Sequence, residues 1–246
     1  MDSFVSLGLD NSYPDKVCLD VYEEHFEVPL INATEAFYKK EPFLAYMTVS
    51  DHLTKIEERL KEEEDRVERY LNTQTRKALP QIFKFLIRQH SKLMQESFQT
   101  LLDFDEHEDL QRMYALLSWI PEGLGPLRTK FEEHVKKTGQ AAVSKLAGEA
   151  GASNERYHPS AYVDALWDAH KKNSETVTKS FRGEAGFVAS LDKACREFVN
   201  RNAATGASKS KSPELLAKHT DLLLRKNNKV AEGDLKGALN RVVSSV

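Results

Sequence analysis

Cysteine is scarce in this sequence of 246 residues, which holds only Cys18 and Cys195. Two cysteines cannot form the disulfide framework of a small secreted domain, and no Cys-x-x-Cys pair is present to support a zinc site. We therefore expect a reducing compartment and a cytoplasmic and/or nuclear location.

Excess charge of one sign and long apolar runs are also missing. Lys and Arg total 35 against 38 Asp and Glu, for a formal net charge of −3, which excludes a general basic field for nucleic acid. No apolar stretch reaches the ~18 residues needed to span a bilayer, and the first ten residues lack the positive start of a signal peptide. The few glycines form neither a Walker loop nor a dinucleotide fingerprint, so they predict helix ends instead.

Helical periodicity is the dominant feature that is present. Apolar side chains recur three or four residues apart, and prolines and glycines punctuate the pattern. Helices are predicted over 50–71, 73–102, 108–120, 125–150, 160–181, 187–202 and 212–225. Pro29 and Pro42 should kink or split an earlier helix, a break is expected near His90, and Ser160 and Ser212 are predicted N-caps. The total of nine or ten helices predicts an all-α fold of stacked helical bundles.

The helix predicted over 50–71 carries a dense run of charge between residues 57 and 69. An acidic docking face is one interpretation of this run. The other, which we favour, is a solvated helix face with opposite charges three or four residues apart, such as Glu62 and Arg66, each pair stabilising the helix by ~0.2–0.5 kcal/mol.

The acidic segment 103–109 is the strongest metal candidate. Asp103, Asp105 and Asp109 have the alternate spacing of calcium ligands. An EF-hand, however, needs glycine at its sixth position and glutamate at its twelfth, where Glu108 and Tyr114 stand. We therefore predict an acidic turn between two helices.

Elsewhere in the sequence the candidates for a metal or catalytic site are equally weak. The eight histidines are scattered, and His170 and His219 lie on or beside apolar stripes, which predicts partly buried core positions. Cys195 falls mid-helix on an apolar side and is predicted to be a small buried residue, although an enzyme built on this thiol is a possible third hypothesis. We predict no catalytic, cofactor or metal site.

Two tryptophans and one small-residue loop are candidate contact sites. We predict a core position for Trp167 and leave Trp119 open between a core position and an interface anchor. Lys209 and Lys211, in the loop around residues 203–211, could contact an acidic partner, but a flexible loop is the favoured interpretation.

Several long motifs resemble the cullin family, and within it the cullins that scaffold SCF-type ubiquitin ligases. The motifs are EDLQRMY at 108–114, GLG at 123–125, AGFVASLDKAC at 185–195 and KSPELLA at 211–217. The resemblance implies an elongated stalk of cullin repeats, with residues 1–105 as the second repeat in whole or part, 106–226 as the third, and 227–246 as the start of the following region. It implies a non-catalytic scaffold in ubiquitin-dependent protein catabolism. Its partners would be ligase subunits and a cullin exchange factor, with no nucleic acid and no membrane.

The same resemblance leaves the adaptor-docking first repeat and the C-terminal RING-binding region without counterparts, so no residue is assigned to those contacts or to a modifier-acceptor lysine. Pro29, Pro80 and residues 242–246 depart from the family pattern. We therefore also expect that the chain could be an isoform, a truncated gene model or a degenerate paralogue. In that case it would compete for cullin partners or have no function.

Overall fold

The computed structural model describes residues 20–40, 48–70, 79–149, 158–204 and 211–226, and this part of the chain is helical with no strand. Its eight helices are α1 (Val28–Lys40), α2 (Val49–Tyr70), α3 (Leu79–Asp103), α4 (His107–Leu117), α5 (Leu124–Glu149), α6 (Pro159–Phe181), α7 (Ala185–Asn200) and α8 (Lys211–Lys226). A helical turn, Asp20–Tyr22, and a π-helix, Glu23–Glu27, precede α1. The all-α prediction is confirmed. None of these helices combines the length and apolar composition required to cross a bilayer.

The π-helix before α1 has a local cause in Pro29. The Val28 N–H donates to the carbonyl of Glu23, five residues earlier. Proline has no N–H, and its ring would clash with a carbonyl four residues earlier in a regular α-helix. A widened turn just before Pro29 accommodates the ring. The chain stays helical from residue 20 to residue 40, so the helix is not split at Pro29. Pro42 lies outside the described residues.

Helix α3 is continuous, and the predicted break near His90 is wrong. His90 and Ser91 both lie within the helix. The Ser91 hydroxyl donates a hydrogen bond back to the Arg88 carbonyl at 2.8 Å. His90 is buried, so packing adds to the backbone hydrogen bonds. Pro80 is the second residue of α3, where a helix has no internal partner for the N–H that proline lacks.

Helix α6 begins one residue before the predicted cap. His158 occupies the N-cap position and Pro159 the first helical position, so Ser160 is not the cap. The fixed φ of proline suits the first turn, which explains the difference. The Ser160 hydroxyl lies 3.3 Å from His219 Nδ1 instead.

The chain divides into two compact units. The first consists of the described residues up to Ser97 together with Arg112–Leu124, and the second of Phe98–Gln111 together with the described residues from Gly125 onward. In the first unit Tyr38, Ile82 and Leu86 form a buried cluster, and half-buried apolar side chains from α1, α2 and α3 pack around it. The repeats 1–105 and 106–226 were inferred from sequence motifs and stay predictions.

The second unit has an aromatic core. Phe98, Phe131, Phe181 and Phe187 are fully buried. Phe181 and Phe187 stack with ring centroids 3.9 Å apart, and Phe131 meets them edge-on at 5.6 and 5.7 Å. Such large side chains contribute strongly to core stability, and these rings bring α5, α6 and the start of α7 into apolar contact.

Candidate functional site

The acidic segment between α3 and α4 directs its carboxylates to separate partners. Asp103 accepts a hydrogen bond from Gln99 Nε2 at 2.8 Å and lies 3.3 Å from His134 Nδ1. Asp105 pairs with Lys172 Nζ at 2.7 Å. A calcium site needs several oxygens converging on one point. Among the described residues no group of three His, Cys, Asp or Glu side chains is placed to hold a metal ion.

Cys195 has the wrong environment for a nucleophile. The side chain is half-buried on α7. Burial, with a smaller contribution from Asp192, raises the pKa of Cys195 to about 12. The thiolate is the reactive form, and at neutral pH this group is a thiol. Cys18, like Lys209, lies outside the described residues.

The first unit contains a histidine pair that has no sequence motif. The rings of His52 on α2 and His90 on α3 meet edge-on, with centroids 4.9 Å apart, and both are buried. Burial lowers the pKa of His52, and burial with the neighbouring ring lowers the pKa of His90 to about 4. Both rings are therefore neutral at pH 7. The two residues are 38 positions apart, so only the packing of α2 on α3 shows the pair.

One glutamate of the charged run is buried, contrary to the prediction that the run is a solvated face. Glu63 is 2% exposed, and its carboxylate accepts hydrogen bonds from the Tyr38 hydroxyl (2.5 Å) and from Arg66 (2.9 Å). Burial and Glu63 raise the pKa of Tyr38, so the phenol remains a donor. The pair predicted from the spacing, Glu62 with Arg66, is not the one formed, because Arg66 pairs with Glu63. Arg59 pairs with Glu62 at 2.6 Å, and the other acidic side chains of the run are exposed or partly exposed, as predicted for a solvated face.

The indole of Trp119 is a surface group and not a core group. It is 45% exposed, and its ring meets Phe83 edge-on with centroids 5.4 Å apart. The turn that carries it is tied to α3 by an ion pair between Glu122 and Arg88 at 2.8 Å. The open choice between core and interface anchor therefore resolves to an exposed side chain.

The predicted core position of Trp167 is wrong. The side chain is only partly buried and stacks on His170 with centroids 5.8 Å apart. Leu166, one position earlier on α6, takes the inward direction, so Trp167 falls at the edge of the buried face. His170 is partly buried as predicted, and His219 is buried.

A charged clamp joins α5 to the start of α7. Arg128 donates from Nη2 and Nε to the Glu184 carboxylate at 2.7 and 3.2 Å. Glu184 is also the N-cap of α7 and accepts from the Phe187 N–H at 3.1 Å. Burial opposes ionisation of Glu184, but hydrogen bonds from backbone N–H groups and from Arg128 outweigh it and lower its pKa. A β-carbon at Gly186 would overlap the Arg128 guanidinium, so the clamp requires glycine there.

A buried polar network joins α6, the end of α7 and α8. Asn202 Nδ2 donates to the Tyr162 hydroxyl oxygen at 3.0 Å and to the Phe198 carbonyl at 2.8 Å, and its Oδ1 accepts from the Ala204 N–H. The Ser212 hydroxyl lies 3.1 Å from that of Tyr162. Ser212 is the second residue of α8 and therefore lies inside the helix, so it is not the predicted cap. These hydrogen bonds join α6, the end of α7 and α8, so the network holds the three helices together.

Comparison with known proteins gives the family. Residues 1–244 match the Cullin alpha solenoid domain. The chain is 45% identical to Cullin-1 of Dictyostelium discoideum over 249 residues and 40% identical to Cullin-1 of Schizosaccharomyces pombe over 247 residues, in each case covering 99% of this chain and 32% of the relative. Cullin-1 of Caenorhabditis elegans is 37% identical, covering 94% of this chain and 31% of the relative. The chain spans about a third of the length of the curated relatives it matches.

Proposed function

This chain belongs to the cullin family, and from that premise we propose that it is a non-catalytic scaffold segment of a cullin-RING ubiquitin ligase, acting in ubiquitin-dependent protein catabolism. The observation that carries the proposal is the match of residues 1–244 to an α-solenoid domain. The resemblance assigns adaptor and RING contacts to other parts of a cullin. The role of this segment is therefore mechanical: it holds those ends apart, so that substrate and ubiquitin-carrying enzyme meet by geometry.

The contacts within each unit support a mechanical role. In the first unit, Tyr38 on α1 is bonded to the buried Glu63 on α2. In the second, the Arg128–Glu184 clamp joins α5 to the start of α7, and the network around Tyr162 joins α6, the end of α7 and α8. Directed bonds of this kind oppose sliding between neighbouring helices, which is what a solenoid of packed repeats requires.

A chimera tests the scaffold role directly. The matching third of Dictyostelium Cullin-1 is replaced by this chain, and ubiquitin transfer is measured with the purified ligase. We expect transfer within about tenfold of the parent, since the chain is 45% identical to that protein over 249 residues. The control chimera carries a Gly/Ser linker of equal length in place of this chain. The linker connects the two ends of the cullin but is flexible, so it does not hold them at a fixed distance and should not support transfer. Equal transfer by the linker chimera would refute the rigid-scaffold role.

The predicted elongated shape has its own test. A compact sphere-like chain of this length has a radius of gyration of about 18 Å. We expect small-angle scattering of the purified chain to give a clearly larger value. A radius at or below that figure would contradict the stalk.

A second candidate function is competition for the partners of a longer cullin, motivated by the coverage of about a third of each relative. Pull-down with the tagged chain distinguishes the two. Recovery of a cullin exchange factor without adaptor or RING subunits favours competition. For either role we propose a cytoplasmic and/or nuclear location, to be checked by fluorescence microscopy of the tagged chain.

A further inference from the structure

The turn between α3 and α4 presents an apolar side chain to solvent. Phe104 is 74% exposed, more than any other large hydrophobic side chain in the described ranges. Single exposed apolar residues are common on protein surfaces, so exposure alone does not make a contact site. Two further properties of this turn, its backbone and its charge, set Phe104 apart.

The backbone of the turn is held by hydrogen bonds on both sides of Phe104. The Glu106 N–H donates to the Leu101 carbonyl at 3.0 Å, and the Asp105 N–H donates to the Leu102 carbonyl at 3.3 Å. Asp105 adopts the left-handed conformation, with φ of 56°. This pair of bonds is a Schellman motif that ends α3, with Phe104 as its C-cap residue. A side chain on an ordered backbone loses little further entropy when it binds.

The charge of the turn is negative. The exposed carboxylates flanking Phe104 along the chain belong to Asp103, Asp105, Glu106 and Glu108. Asp105 is paired with Lys172. Burial lowers the pKa of His134, so that this ring is neutral at pH 7 and leaves the charge of Asp103 in place. An apolar group with a negative border is complementary to an apolar pocket with a positive border.

We propose that Phe104 and the flanking carboxylates of Asp103, Glu106 and Glu108 form a docking surface, the Phe104 turn, for a partner protein that offers an apolar pocket bordered by lysine or arginine side chains. Phe104 is the anchor that enters the pocket. The carboxylates select the partner and hasten encounter. The surface does not depend on the scaffold role, since it is defined by exposure, backbone geometry and charge within the second unit.

Photo-crosslinking of the full chain tests the proposal. The photoreactive analogue p-benzoylphenylalanine replaces Phe104, and a matched control carries it at Phe37, which is 58% exposed on α1 in the first unit. After irradiation in cell extract, we expect a protein joined at position 104 and not at 37, through an apolar pocket bordered by basic side chains. Crosslinks shared by both positions, crosslinks only to a second copy of this chain, or crosslinks to an acidic surface would overturn the proposal.

Affinity measurements with the purified, crosslink-identified protein decide the matter. Phe104→Ala should weaken binding at least about tenfold, as loss of an interface anchor does, while Phe37→Ala leaves it unchanged. The double change E106K/E108K should also weaken binding and reduce its dependence on salt. Phe104→Ala should keep the wild-type melting temperature, because the ring is exposed. Equal binding by Phe104→Ala, or tighter binding by the charge reversal, would contradict the docking surface.

Discussion

Replacing Tyr38 by phenylalanine should lower the free energy of unfolding of the first unit by about 1.5–3 kcal/mol, the range for hydrogen bonds to charged groups. Tyr38 is 1% exposed, and its hydroxyl donates to the carboxylate of Glu63, which is equally closed to water. The substitution removes one oxygen atom and leaves the ring in place. The cost therefore reports the loss of one donor to a buried charge, which Arg66 alone then satisfies.

The expected change is large enough to measure by two methods. At about 2–4 °C per kcal/mol for a chain of this size, Tyr38→Phe should lower the melting temperature by about 3–12 °C. Urea unfolding at pH 7.5, followed by circular dichroism, gives the free energy. Glu62→Gln is the matched control, because Glu62 is next to Glu63 but is exposed and pairs with Arg59. Its effect should stay below about 1 kcal/mol.

A double variant separates the hydrogen bond from general damage. Tyr38→Phe combined with Glu63→Leu removes donor and acceptor together, and such replacements are often close to neutral. The double variant should therefore be more stable than Tyr38→Phe alone. If the two effects simply add, or if Tyr38→Phe costs no more than Glu62→Gln, the buried carboxylate does not depend on Tyr38 and the reasoning fails.

Three further predictions concern single sites. The free energy of unfolding should fall by up to about 3 kcal/mol from pH 7 to pH 4, because His90, with a folded pKa of about 4 against an ordinary 6.5, takes up its proton more readily when unfolded. His90→Leu should flatten that slope in urea titrations, and an unchanged slope would refute the assignment. Gly186→Ala should destabilise the protein by about 1 kcal/mol, because the new methyl group displaces Arg128. In an Arg128→Ala background the same substitution should stabilise the protein by ~0.5–1 kcal/mol, because only the higher helix propensity of alanine remains. Thermal melts in both backgrounds check this reversal of sign. Asn202→Ala should lower the free energy of unfolding by about 2 kcal/mol, because it removes the central side chain of a buried hydrogen-bond network. Asn200→Ala, at an exposed position, should lower it by under about 0.5 kcal/mol. Equal melting temperatures of the two variants would contradict this.

The position of Glu63 shows what the sequence could and could not tell. Ile56, Leu60, Glu63 and Val67 follow one another at spacings of four, three and four residues, so Glu63 lies on the apolar stripe of α2. Its burial could have been predicted from that spacing. Its partner could not, because Tyr38 is on another helix, and no local pattern states how α1 packs on α2.

The bounds of two helices were predicted to within one residue, whereas the helix predicted over 108–120 ends at Leu117 and that predicted over 187–202 is Ala185–Asn200. The predicted 50–71 and the observed Val49–Tyr70 differ by one residue at each end, as do 160–181 and Pro159–Phe181 at the first residue. Prolines and polar capping residues act within their own helical turn, so helix bounds of this kind can be predicted from the local sequence. The erroneous break at His90 and the erroneous core position of Trp167 depend on which neighbouring helix covers the residue, and this is a property of tertiary packing.

Two glycines of the family motifs have a structural explanation. A β-carbon at Gly123 would overlap the carbonyl of Leu117, and one at Gly186 would overlap Arg128. These positions are restricted by close approach within the turn after α4 and within the clamp of α7. The motifs that identified the family are therefore partly packing requirements, which is why no reactive chemistry could be derived from them.

The network of Tyr162, Asn202 and Ser212 has a consequence for the alignment of α8. Apolar side chains such as Leu216 would find similar neighbours after a slip of one helical turn, about 5.4 Å. A hydroxyl 3.1 Å from its partner would lose that partner altogether. A slipped α8 would thus leave buried polar groups unsatisfied, at a cost of about 1–3 kcal/mol for each. The contact of Ser212 with Tyr162 and that of His219 with Ser160 therefore set the rotation and axial position of α8. Any surface that α8 shares with a neighbour inherits that position.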